Sequence, residues 1–132
     1  MNSNTKLKVV LTIILAVIFV YILQGAEPIC RGLKLKYLEY NDAYFDGVLP
    51  RNTIVEYGTC PDAQSIACTT HPGDVFKITL VKEYNLAPVQ AHVNLLHESC
   101  HIVTWTELEE HGPRWKDCMH RIYQKGAFEG IL

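Results

Sequence analysis

From Val9 to Leu23 every position is apolar except Thr12 and Tyr21, and Lys6 and Lys8 stand just ahead of the run. A segment with no polar face suits lipid better than the surface of a small protein. A signal peptide has an apolar stretch of about 7–15 residues before a small-residue cleavage site, whereas a spanning helix takes about 17–25. Val9 to Ala26 reaches the spanning range, and Gln24-Gly25-Ala26 offers no clear cleavage site. Residues 1–26 therefore read as an uncleaved single-pass membrane anchor, with a cleaved secretory signal as the alternative. Charge does not orient it, because Lys6 and Lys8 are answered by Arg31, Lys34 and Lys36 on the other side.

Beyond a short Gly25 to Pro28 linker, residues 27–132 read as one domain. Leu33, Tyr37, Leu38, Tyr40, Asn41, Tyr44 and Phe45 recur at helical spacing and predict an amphipathic helix ending near Gly47. Thr53-Ile-Val-Glu-Tyr57, closed by Gly58, predicts a strand, and Val75 to Val81 after Pro72-Gly73 a second. The connection between them, holding Cys60 and Cys68, reads as a long hairpin loop, which makes the sheet a small antiparallel one. Pro88 suits the first turn of a helix that continues through His97 to about Trp105, with Val89, Val93, Leu96, Cys100 and Val103 as its apolar stripe. A last helix opens at Pro113, places Trp115, Cys118, Met119 and Ile122 on one face, and stops at Gly126. The pattern is an α+β domain of about 100 residues with one modest core.

Charge narrows the function. The formal net charge is −2, and the first 25 residues hold two of the twelve basic residues and none of the fourteen acidic ones, which leaves −4 on the remainder. That balance gives no support to nucleic-acid binding. Five cysteines, at positions 30, 60, 68, 100 and 118, are many for 132 residues, a density commoner in oxidising compartments, so the domain is expected outside the cytoplasm. Cys60 and Cys68 are expected to pair across a flexible loop, and Cys100 and Cys118 are a second candidate pair on two helices expected to pack together. With no C-x-x-C pair present, a zinc site built of cysteines is disfavoured.

The chemistry concentrates in His97-Glu98-Ser99-Cys100-His101. Two imidazoles at i and i+4 sit one helical turn apart on the same face and can reach one ion. A catalytic zinc uses three protein ligands and keeps one position for water; Glu98, beside the first ligand, is placed as general base to that water. The third ligand must come from the stretch Glu107-Leu108-Glu109-Glu110-His111-Gly112-Pro113. His111 fits best, because a Gly-Pro turn follows it; Glu110 is the reserve, and the glutamates otherwise read as a solvated acidic run. His71, His92 and His120 read as bystanders. Tyr84, Tyr123 and Arg114 are open choices for stabilising an oxyanion.

These motifs resemble the SprT-like metallopeptidases, the group that includes the Spartan proteases. The likeness rests on His97-Glu-Ser-Cys-His101, then His111-Gly-Pro-Arg-Trp115 and Met119-His-Arg-Ile122, with Tyr40-Asn-Asp-Ala-Tyr-Phe45 and Leu49-Pro50 matching the N-terminal helix and turn. It implies a small zincin-like fold with Zn2+ on His97, His101 and His111 and Glu98 as catalyst. Ile78-Thr-Leu80 falls where such proteins carry the strand bordering the cleft, so a protein or peptide substrate is expected along it. The family's DNA-crosslink repair role is not implied, since the likeness extends to no DNA-binding segment. The competing expectation is a non-enzymatic module at a membrane, stabilised by the same zinc and binding a partner; a base beside a vacant coordination position has no use there.

Overall fold

The computed structural model describes residue 2, residues 12–15 and residues 28–131. The chain forms two compact units, Met1–Gly32 and Leu33–Leu132. In the first, residues 12–15 are helical and exposed. The membrane anchor expected over residues 1–26 otherwise lies outside the described residues. Among those described, no helix is long and apolar enough to cross a membrane. The helix Pro28–Tyr44 (α1) has 17 residues, yet Arg31, Lys34, Lys36, Glu39 and Asp42 interrupt it. The expectation of a single-pass membrane protein is therefore corrected.

In the second unit, α1 is followed by strands Ile54–Tyr57 (β1), Ala67–Thr70 (β2) and Lys77–Leu80 (β3), a 3₁₀ turn at Lys82–Tyr84, and helices Pro88–Val103 (α2) and Pro113–Gln124 (α3). The α+β expectation agrees with this; the hairpin and the antiparallel sheet do not. The strand order is β1-β3-β2. β1 runs parallel to β3, with Val55 opposite Ile78, and β2 runs antiparallel to β3, with Thr69 opposite Ile78. The expected hairpin loop thus contains a strand of its own. Ile78 is fully buried on the central strand, which is paired on both sides, so the strand expected to carry the substrate is not an edge; β1 and β2 are the edges of this sheet.

Helix α1 buries Leu33, Tyr37, Tyr40 and Asn41, one stripe at helical spacing. Asn41 closes the following turn: its side chain accepts from Leu49 N–H at 2.9 Å and donates to Leu49 O at 3.0 Å. Asp46 (φ 55°) and Gly47 (φ 72°) make the left-handed step that ends the helix. Helix α2 opens on Pro88 and buries Leu95, Leu96, Ser99, Cys100 and Ile102. Its buried face is rotated from the stripe read in the sequence, so Val89 is exposed. Two buried asparagines fix α2 relative to β2. Asn94 donates to Asn85 at 2.7 Å, and Asn85 donates to Ile66 O and Val81 O, each at 2.8 Å. Both expected disulfides are present: Cys60–Cys68 ties the loop after β1 to β2, and Cys100–Cys118 ties α2 to α3.

Candidate metal centre

Helix α2 carries His97 and His101 one turn apart, and the loop between α2 and α3 brings His111 to them. The Nε2 atoms of His101 and His111 lie 3.2 and 3.1 Å from Nε2 of His97. One nitrogen from each ring fits within 4.8 Å of the other two. Three imidazole nitrogens held at about 2.0–2.1 Å by one tetrahedral ion stand about 3.4 Å apart, so this spacing suits a metal with little adjustment. Burial, with the neighbouring histidines adding to it, holds the His97 ring well down, to about 4. Burial followed by His111 does the same for His101. Both rings are therefore neutral at pH 7, the form that binds a metal.

The indole of Trp115, from the first turn of α3, backs all three rings, with centroid distances of 4.7 Å to His97, 5.7 Å to His101 and 4.4 Å to His111. Its Nε1 donates to His97 O at 3.4 Å. Trp115 thus limits how far each ring can turn.

Glu98 is buried and faces the edge strand β2. The Thr69 hydroxyl donates to its Oε2 at 2.7 Å and lies 3.1 Å from its backbone oxygen. Burial pushes the Glu98 carboxyl up to about 7; the Thr69 hydrogen bond pulls the other way and the charge of Glu110 adds to the rise. A cleft of ≈ 320 Å³ runs beside the centre, and Thr69, His101, Trp105, Glu107, Glu109 and Glu110 are among the residues lining it.

No family model, curated protein or solved structure matches this chain. What the site can do rests on its own geometry. Three histidines brought together can hold a metal ion.

Of the residues singled out in the sequence, His97, His101 and His111 converge, while Glu110 is exposed at the cleft and stands outside the three-ligand group. His92 is held by Tyr40 (2.5 Å) and by Ala127 O (2.6 Å), a structural clamp. His71 stacks on Phe76 at 4.0 Å, with Trp105 at 5.7 Å, and His120 is exposed on α3. Tyr84 and Tyr123 are not among the cleft-lining residues, and the Arg114 guanidinium donates to Thr106 at 3.2 Å. Glu107 is not part of a solvated run: its two oxygens accept from Arg114 N–H (2.8 Å) and Trp115 N–H (2.9 Å). Thr69 was not legible in the sequence, because its role depends on a strand register that local pattern does not carry.

Proposed function

We propose that this chain is a zinc-dependent metallopeptidase of the SprT-like type. The observation that supports it is the convergence of three imidazoles on one point, with a buried carboxyl group one residue from the first of them. An all-nitrogen set of three ligands suits zinc and leaves a position open. Zinc bound there supplies Lewis acidity towards water and towards a peptide carbonyl. His97, His101 and His111 hold the ion, and Trp115 restricts their rings.

Glu98 acts as general base. Thr69 occupies Oε2, which leaves Oε1 to take a proton from the attacking water and pass it to the departing amine. Burial raises the carboxyl in the metal-free protein to about 7, and a cation beside it would favour the charged, basic form. The substrate is a protein or peptide whose backbone lies along β2, the edge strand on which Ala67, Cys68 and Thr69 line the cleft.

The test is incubation of the full chain with an unfolded protein, with and without a chelator. Cleavage should occur, stop on chelation and return when zinc is restored. A chain that binds zinc tightly and cuts no unfolded protein would favour the alternative, a zinc-stabilised module that binds a partner.

A further inference from the structure

The third ligand stands on a loop, and loops hold ligands only as well as they are themselves held. Between the end of α2 and Pro113 the chain makes a closed turn. Thr104, buried, donates through its N–H and hydroxyl to Cys100 O (3.1 and 2.9 Å), and Glu107 N–H donates to Thr104 O at 2.8 Å. The Glu107 side chain then reaches across to the start of α3. That helix has no capping side chain at Gly112 and no N–H at Pro113, so the N–H groups of Arg114 and Trp115 are the next without a partner inside the helix. Glu107 accepts both, one on each oxygen, at 2.8 and 2.9 Å. The carboxylate also suits the positive end of the helix.

His111 lies inside the loop closed in this way, and Trp115, one of the two residues whose N–H is held, is the ring that backs the triad. Gly112 reports how tightly the clamp fits. A Cβ placed there would stand 2.5 Å from Glu107 Oε1 and 2.7 Å from its Cδ, while the Gly112 backbone (φ −71°) is one that any residue adopts. The room that glycine leaves here is taken by the carboxylate, so a side chain at this position would have to displace Glu107.

We propose that Glu107 is a positioning residue for the metal centre: its carboxylate clamps the 107–115 loop so that His111 completes the histidine triad. The inference rests on that triad holding a metal, and it does not depend on peptide hydrolysis.

The experiment is zinc titration of the full chain against a chromophoric competitor, with thermal unfolding as a check on folding, for the parent, Glu107→Ala, Glu107→Gln and Gly112→Ala. Each substitution is also made in a His111→Ala background. Glu107→Ala and Gly112→Ala should weaken zinc binding about tenfold or more, in the range typical of residues that support metal ligands. Glu107→Gln, which keeps one acceptor oxygen, should recover part of the loss. In the His111→Ala background the same substitutions should change affinity less than about twofold, because the residue they act through is gone. Gly112→Ala keeps Glu107 and tests the clamp even where Glu107→Ala does not fold. Equal losses with and without His111 would reduce Glu107 to a plain helix cap and overturn the proposal. Parent-like zinc affinity in a folded Gly112→Ala would overturn it as well. A parent chain that binds no zinc would remove the metal centre itself, a result distinct from both.

Discussion

Individual side chains divide the labour at this site by their surroundings. His97 and His101 are kept neutral by burial, while burial makes the Glu98 carboxyl reluctant to ionise. The third ligand distinguishes two kinds of neighbour: His111 points a nitrogen at His97, and Glu110, one residue earlier, is exposed at the cleft. His111→Ala should therefore lower zinc affinity and abolish activity, whereas Glu110→Ala should leave zinc affinity nearly unchanged; calorimetric titration of both variants checks this. A pH-dependent stability follows from Glu98. In metal-free protein its folded value of about 7 lies above the ordinary 4.5, so the folded chain holds a proton that the unfolded chain has released. Its contribution to stability is full below about pH 4.5 and lost as pH rises through about 7. Glu98→Gln does not titrate and should gain on the parent by about 3 kcal/mol between pH 4.5 and pH 8. His97 and His101 work in the opposite sense, losing stability as pH falls from 6.5 through about 4, but they are common to both proteins and cancel. Urea unfolding with chelator present measures the difference, and a gap independent of pH would contradict it.

At the scale of elements, the helices and the strands β1 and β3 were legible, while β2 and the pairing of the sheet were not. Pro88 and Pro113 mark two helix starts, and apolar residues recurring every three or four positions mark their faces. The motif on α2 and the His-Gly-Pro turn before α3 are local patterns as well, so the three histidines could be read without a structure. β2 could not, because Ala67-Cys-Thr-Thr70 has no large branched or aromatic residue and no position of it is fully buried. Its place is set by pairing with β3 and by the Asn85 and Asn94 network, contacts that lie far apart in the sequence. Thr69 was missed for the same reason. Glu107 was misread because its partners lie seven and eight residues on, beyond any capping pattern inside a helix. The expected second disulfide does link the two elements that frame the site. Cys100 and Cys118 are 18 residues apart, and opening a loop of that length by Cys100→Ala with Cys118→Ala should cost about 3 kcal/mol of stability. Chemical denaturation of that double variant should show a lower midpoint; an unchanged one would mean that the crosslink contributes nothing to the packing of α2 on α3.

For the molecule as a whole, two disulfides within Leu33–Leu132 fit an oxidising compartment, whereas no described helix can cross a membrane. One cleft of the second unit is lined by Ala67, Cys68 and Thr69 of β2 and by His101. In the proposed function, zinc and one carboxylate cut a peptide bond in that cleft. The most direct test of that function is Glu98→Gln in the full chain, read by zinc content and by cleavage of an unfolded protein. The variant should hold about one zinc per chain, as in the parent, and show no cleavage, because a base is removed and no ligand is. A Glu98→Gln chain that cleaves as fast as the parent would contradict that function.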